Sequence, residues 1–260
     1  MKYYVVADVH GFYSRLIATL KEKGWFENKG NRKLILCGDA FDRGEEAVEM
    51  QAFLARLLEE DELIFIRGNH EDLMVEFIEN IGYWMDSRIV YSHHWSNGTV
   101  ETMLQLTGLT LNEAYVQPKR AVGMMRQTPF FKKLLPATQN YFETENYLFV
   151  HGWFPCKAHG DVYRPSTFAY RKNWRQASEK DWEYARWYNG MEAAAQGVIE
   201  KGKTVVCGHW RCSYGHAVLE RKGKESGVDA DYSPYYGDGI IAIDACTKVS
   251  KKVNCLVIEE

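Results

Sequence analysis

Gly38-Asp39-Ala40-Phe41-Asp42-Arg43-Gly44 places two carboxylates, an arginine and two glycines directly behind the apolar run Lys33–Cys37. That apolar run reads as a buried strand, so the polar residues after it fall on the edge of a sheet. Four other runs follow the same grammar. Asp8-Val9-His10 ends Lys2–Ala7, and Gly68-Asn69-His70-Glu71 ends Leu63–Arg67. His151-Gly152 ends Tyr147–Val150, and Gly208-His209 ends Thr204–Cys207. Side chains at the ends of neighbouring strands converge, so two carboxylates, three histidines and one amide can share a pair of divalent ions. Gly38, Gly44 and Gly68 allow tight turns where a Cβ would crowd that edge.

Outward from these runs, helical spacing marks Phe12–Lys23, Glu45–Glu60 and Glu71–Ile81, each between two expected strands. The repeated β-α-β order implies a largely parallel sheet with helices packed on it. From about residue 82 to residue 139 the pattern breaks into a stretch rich in Trp, Thr, Met and Gln, read as a helical insertion. A further helix is expected from about Ser178 to Lys201. Gly239–Asp244 and Val253–Glu259 read as closing strands, with Lys251-Lys252 as a hairpin tip. No clean boundary divides the chain, which reads as one domain over residues 1–260 with the insertion inside it.

The bulk composition narrows the function classes. The chain has 260 residues, 46% hydrophobic and 26% charged, enough to bury a core without disulfides. A net charge of −3 argues against a general nucleic-acid binder. No apolar run approaches the ~18 residues of a membrane span, and no signal peptide opens the chain. Six cysteines lack CxxC spacing, which points to free thiols and a cytoplasmic setting rather than to zinc-finger chemistry.

The residue types indicate the reaction. Asp8 and His10, two apart at a strand end, can reach one ion. Asp39 can bridge two ions through its two oxygens. Asn69 offers a carbonyl oxygen, and His151 and His209 offer imidazoles. This mixed oxygen and nitrogen set suits manganese, with iron or zinc as alternatives, better than calcium. Two such ions can acidify a shared water and aim it in line at phosphorus. His70 follows Asn69 and is placed to protonate the leaving group, with Asp42 as its carboxylate partner. Arg43 can fork onto two phosphate oxygens. The remaining histidines, His93, His94, His159 and His216, read as structural or solvated. The aromatic cluster Trp174–Tyr188 reads as core or groove wall.

On these motifs the chain resembles the calcineurin-like metallophosphoesterases, and within them the PPP group. That group includes eukaryotic Ser/Thr protein phosphatases, the bacteriophage lambda phosphatase and bacterial symmetrical diadenosine tetraphosphatases. The Asp42-Arg43-Gly44 ending and Gly68-Asn69-His70-Glu71 carry the resemblance, and the stretch 82–139 lies outside it. The resemblance implies an α/β fold, a four-layer α/β/β/α sandwich. It places Asp8, His10 and Asp39 on one metal, and Asp39, Asn69, His151 and His209 on the other. It makes His70 the general acid, supported by Asp42, with Arg43 on phosphate. A second phosphate-binding arginine is expected ahead of the last histidine, and Arg186 stands at that distance, with Arg164, Arg171 and Arg175 as competitors. Arg67 reads as structural. Arg211 occupies the place where other metallophosphoesterases carry a further histidine, as expected for PPP.

The activity implied is metal-dependent hydrolysis of phosphoserine or phosphothreonine in proteins, and of small aryl phosphates. Symmetrical cleavage of diadenosine tetraphosphate is the alternative, with a non-catalytic protein-binding scaffold behind it. The expected partners are phosphorylated proteins or small phosphoesters, with neither nucleic acid nor membrane.

Overall fold

A computed structural model describes residues 1–28, 30–84 and 92–260. Two sheets stack face to face. The first has strands β1 (Lys2–Val6), β2 (Arg32–Cys37) and β3 (Leu63–Ile66) in parallel. A last strand, β11 (Leu256–Glu259), lies antiparallel to β1 at one edge. The second sheet joins β4 (Phe142–Glu143), β5 (Tyr147–Phe149), β8 (Thr204–Cys207), β10 (Ile240–Ala242) and β9 (Tyr235–Gly237), in that spatial order. A separate ribbon pairs β6 (Lys157–Gly160) with β7 (Pro165–Ala169).

Strand alternation builds the layers. Val5, Ala7, Ile35, Cys37, Ile64 and Ile66 point inward from the first sheet and meet Phe149, Val206 and Ile243 of the second. The alternate residues Tyr4, Val6, Leu34, Leu36, Leu63 and Phe65 point outward, onto helices. These helices are α1 (Tyr13–Glu22), α2 (Ala47–Glu59) and α3 (Asn69–Glu79). Beyond the second sheet, Leu148, Val150, Val205 and Ile240 pack on Trp153, Trp174, Trp182 and Met191. Period-two burial on both faces of both sheets gives the four-layer α/β/β/α arrangement.

The stretch expected to be an insertion is helical: α4 (Ile81–Trp84), α5 (His93–Asn97), α6 (Thr99–Thr107), α7 (Leu111–Val116) and α8 (Pro118–Met125). Residues 85–91 of it lie outside the described residues. Val100, Met103, Ala114, Ala121, Met125 and Phe130 join the same apolar cluster as α1, α2 and α3. These helices therefore add to an existing layer.

Three expectations need correction. The helix expected from Ser178 to Lys201 is broken into α9 (Glu179–Ala185) and α10 (Gly190–Ala195). Asn189 adopts an extended backbone and caps α10 through its side chain, bonding the Met191 and Glu192 amides at 3.1 and 3.3 Å. Lys251-Lys252 is no hairpin tip, because β10 and β11 belong to different sheets and the chain crosses between them there. The largely parallel sheet expected is two mixed sheets, in which β1, β2 and β3, and β5, β8 and β10, run parallel while β4, β9 and β11 pair antiparallel at the edges. These last three strands are only two to four residues long and carry little periodic signal.

Candidate metal centre

The carboxyl ends of β1, β2, β3, β5 and β8 meet at one edge of the sandwich and bring the five motifs together. Asp39 lies at the middle. Its Oδ2 stands 3.8 Å from both His10 Nε2 and His70 Nε2, and its Oδ1 is 3.4 Å from His151 Nε2. Asp8 Oδ1 is 3.9 Å from His10 Nε2, and Asp8 Oδ2 accepts the His209 amide at 2.8 Å. Asn69 Oδ1 lies 2.9 Å from His151 Nε2, and the His151 and His209 rings are 5.1 Å apart. All six of the residues expected as ligands thus lie together at this edge, and Asp39, Asn69 and His209 line the cavity over it.

The backbone is bent to achieve this. Asp8, His10, Asp39, Asp42, Arg43 and His209 all have φ between 51° and 70°, in the left-handed region that non-glycine residues rarely enter. Strain concentrated on six residues of one pocket is the signature of a functional site held in place by its surroundings. Gly38 shows how tight the packing is: at φ 80°, a Cβ there would lie 2.7 Å from Gly68 Cα and collide with the His151 ring.

The donor set fits cations. Asp8, Asp39 and Asp244 are all buried. Burial pushes the Asp39 carboxyl up to about 8 and Asp244 up to about 6, and raises Asp8 well above the carboxylate range. Mutual repulsion among these groups adds to the rise for Asp8 and Asp39. Burial likewise pushes the His10, His70 and His209 imidazoles well down, and His151 to about 4. The imidazoles are therefore neutral and cannot serve as counter-ions. His151 Nδ1 bonds the Cys37 carbonyl at 2.8 Å and His10 Nδ1 bonds that of Phe41 at 3.0 Å. Both rings then turn an Nε2 lone pair into the pocket. At His151 that lone pair faces the Asn69 oxygen, so two acceptors confront one another. Buried acceptors and carboxylates with so little positive charge among them fit divalent cations.

Beside this cluster, His70 Nδ1 bonds Asp42 Oδ2 at 2.7 Å, and Thr99 donates to the same oxygen at 3.0 Å. The Asp42 carboxyl is raised by burial to about 6, against the lowering effect of bonds from Thr102 and Thr99. Arg43 reaches across, with Nη1 2.8 Å from His10 Nε2 and Nη2 3.0 Å from His70 Nε2.

Arg186 is placed differently from expectation. Its guanidinium is buried and bonds Asp72 at 2.8 Å, Asn140 and Glu179, while its charge still reaches His151. Three acceptors engage its two terminal nitrogens, its Nε is buried with no partner among the described residues, and it does not line the cavity over the cluster. Arg171 pairs with Asp181, and Arg175 with Glu143 and Glu200. Arg164 and Arg211 do line the cavity, together with Arg43. Arg67 bonds Asp72 at 2.6 Å.

Two carboxylates escaped the sequence reading. Glu71 is buried and accepts the amides of Gly68, Asp39 and Ala40 at 2.8, 3.0 and 3.1 Å, tying β3's exit turn to β2's. Its place directly after His70 was the available signal. Asp244, behind β10, lines the cavity and stands close enough to raise the Asp8 carboxyl. It closes the run Gly239–Asp244 that reads as a strand, and that strand end was the available signal.

The cavity over the cluster has a volume of about 540 Å³ and is walled by Tyr163, Trp187 and Trp210 as well as the three arginines. A second cavity of about 780 Å³ shares Asn69, Asn97, Tyr163, Arg164 and Trp187 with it, and adds Asp72, Glu76, Asp161 and Glu183. Among the described residues no helix is long and apolar enough to cross a membrane, and all six cysteines are free.

Comparison with known proteins agrees with this geometry. The family model described as calcineurin-like phosphoesterase matches residues 1–216. A bis(5'-nucleosyl)-tetraphosphatase PrpE [asymmetrical] of Bacillus velezensis is 29% identical over 85 residues, covering 30% of this chain and 34% of that protein. A serine/threonine-protein phosphatase 2 of Salmonella typhimurium is 36% identical over 93 residues, 32% of this chain and 40% of that protein. The chain thus spans well under two thirds of the curated relatives it matches. Among solved structures, a cold-active protein-tyrosine phosphatase of a psychrophile Shewanella sp. covers 100% of this chain. It aligns at TM-score 0.52 and 16% identity over 75% of its own length, a likeness of fold.

Proposed function

The chain belongs to the calcineurin-like phosphoesterase family, and on that premise we propose that it hydrolyses phosphomonoesters, with phosphoserine and phosphothreonine in proteins as substrates. The observation that supports this most is the convergence of Asp39 with His10, His70 and His151 within 3.4–3.8 Å on an open cavity edged by Arg43. Asp8, His10 and Asp39 would hold one divalent ion, and Asp39, Asn69, His151 and His209 a second. Bound there, the ions supply Lewis-acid polarisation of the phosphoryl group and lower the pKa of water. Manganese, iron and zinc all match the donors.

The chain's own residues then divide the remaining work. Arg43 presents a planar donor pair to the phosphoryl oxygens. While Arg43 bonds His70 Nε2, burial and then the Arg43 charge push the pKa of that imidazole well down. A phosphate dianion engaging Arg43 would offset that charge and favour the imidazolium. Asp42 holds Nδ1–H, so the proton available for the leaving alkoxide sits on Nε2. Arg164 and Arg211, at the cavity wall, replace Arg186 as second phosphate ligands in this reading.

The second cavity favours a peptide. Asp161, Glu183 and Glu76 on its wall suit a neutral or basic segment beside the phosphoresidue, and they would repel a polyphosphate chain. Dinucleoside tetraphosphate cleavage is the second reading. It is favoured by Tyr163, Trp187 and Trp210 around the first cavity, which offer faces on which a base can stack. Steady-state kcat/KM with manganese on a phosphoserine peptide and on diadenosine tetraphosphate decides between them. A higher value for the peptide is expected. A higher value for the dinucleotide replaces the first reading with the second, and no hydrolysis of either substrate, read as phosphate from the peptide and nucleotide products from the dinucleotide, refutes both.

A further inference from the structure

A second cluster of ligand-type side chains lies outside the sheet edge. Glu76 is on α3, seven residues after Asn69, and His93 and His94 open α5. Glu76 Oε2 is 3.6 Å from His93 Nε2 and 4.0 Å from His94 Nε2, and one ligand atom from each residue lies within 4.8 Å of the others. The two imidazole centroids are 4.1 Å apart. Tetrahedral zinc with bonds of about 2.0–2.2 Å needs ligand atoms about 3.3–3.5 Å apart, so small side-chain rotations close this trio onto an ion. We propose that Glu76, His93 and His94 form a third cation site, selective for zinc, distinct from the pair at the sheet edge.

The chemistry supports zinc over the harder cations. Two imidazoles and one carboxylate are a borderline donor set, which magnesium and calcium do not favour. The His94 ring is buried against Phe77, with centroids 5.2 Å apart, and burial lowers it to about 4, which keeps it in the ligating neutral form. Three protein ligands leave a fourth position for water or substrate. Glu76 and His93 also line the second cavity, so an ion there changes the charge of the wall.

The placement gives the ion a structural consequence. α3 begins with Asn69 and His70, while α5 leads through Gly98 into α6, whose Thr99 donates to the Asp42 carboxylate and whose Thr102 accepts the Asp42 amide. Zinc bound to Glu76 and the two histidines would fasten α5 onto α3, and so tie both sides of the His70–Asp42 pair together. Such a clamp raises the melting temperature increasingly as free zinc exceeds its Kd.

The test is zinc stoichiometry on the whole chain, stripped by chelator and titrated by calorimetry and native mass spectrometry. The wild type should take up one equivalent more than a Glu76→Gln, His93→Gln double variant, whatever number binds at the sheet edge. The failure of this proposal is thereby distinguishable from failure of the paired-ion reading. Both substituted side chains are well exposed, at 44% each, and circular dichroism verifies the fold of the variant. Equal stoichiometry in the two proteins overturns the proposal. A measurement on the wild type alone guards against an unfolded variant. Zinc should slow carbethoxylation of His93 by diethyl pyrocarbonate at least tenfold, and an unchanged rate likewise overturns the site.

Discussion

The two walls of the cavity are built by opposite means. One wall is the sheet edge, where Asp8, His10, Asp39, Asn69, His151 and His209 leave five strand ends. Five of them are buried and His209 is half-buried, and turns with positive φ set four of those positions. The other wall is Tyr163, Arg164 and Trp187, from the turn between β6 and β7 and the residues after α9, with Tyr163 and Arg164 exposed. On the first wall the backbone itself sets distances, and a change of a single atom disturbs two strands. On the second, long side chains on short irregular segments make the surface. Under the proposed function the chemistry would rest on the rigid wall, and the choice of substrate on the adaptable one.

Substitutions should separate the walls. Asp39→Asn should cause the largest loss, about 10³-fold in kcat, since several kcal/mol of charge stabilisation disappear at 1.36 kcal/mol per tenfold. The same variant should bind less manganese in elemental analysis. Unchanged kcat would end the proposed division of labour. His70→Asn should reduce kcat by about 10²-fold, as expected for loss of a general acid. The reduction should shrink for an aryl phosphate, whose leaving group needs no proton, and an equal reduction on both substrates would contradict the assignment.

On the adaptable wall, Arg164→Ala should raise KM about tenfold with kcat little changed, because a hydrogen bond to a charged group contributes about 1.5–3 kcal/mol. Arg186→Ala should behave in the opposite way. It should lower the melting temperature and leave KM near the wild-type value, because its guanidinium is committed to Asp72, Asn140 and Glu179. A KM effect larger than that of Arg164→Ala would return Arg186 to the phosphate site.

The smallest effect is a pH slope in the metal-free chain. Asp39 at about 8 and Glu71 at about 7 keep their protons in the folded state at pH values where the unfolded chain has lost them. Between about pH 6.5 and 8 the folded chain therefore binds more protons, and stability falls as pH rises. Below about 6.5 the depressed imidazoles, which only the unfolded chain protonates, act in the other sense and oppose the buried carboxyls, so the slope flattens there. Thermal melts of stripped protein should decline from pH 6.5 towards pH 8. Saturating manganese should remove that decline, since the ions take the place of the protons.

How much of this was legible without coordinates followed the same division. β1, β2, β3, β5 and β8 are signalled by apolar runs ending in Gly, Asp or His, and their order along the chain indicates the layers. The ligand types can be read because each sits within a few residues of a strand end. β4, β6, β7 and β9 could not be read, since strands of two to five residues on a solvated ribbon or sheet edge carry almost no hydrophobic period. The break between α9 and α10 was hidden for a related reason: one residue, Asn189, ends a pattern whose apolar positions continue beyond it.

Arg186 marks the limit most clearly. By spacing it belongs to the phosphate site, but an arginine side chain spans several ångströms and its direction is settled by whichever acceptors are nearest. Those are Asp72 from α3, Asn140 before β4 and Glu179 from α9, three segments far apart in the chain. The reverse holds for Asp244, Glu76, His93 and His94, which form no motif and gain meaning only where elements meet. Local order along the chain thus determined the strand ends, the ligand chemistry and the family. Which long side chains face the cavity was decided by packing between distant segments, because their reach exceeds the span over which neighbouring residues constrain them.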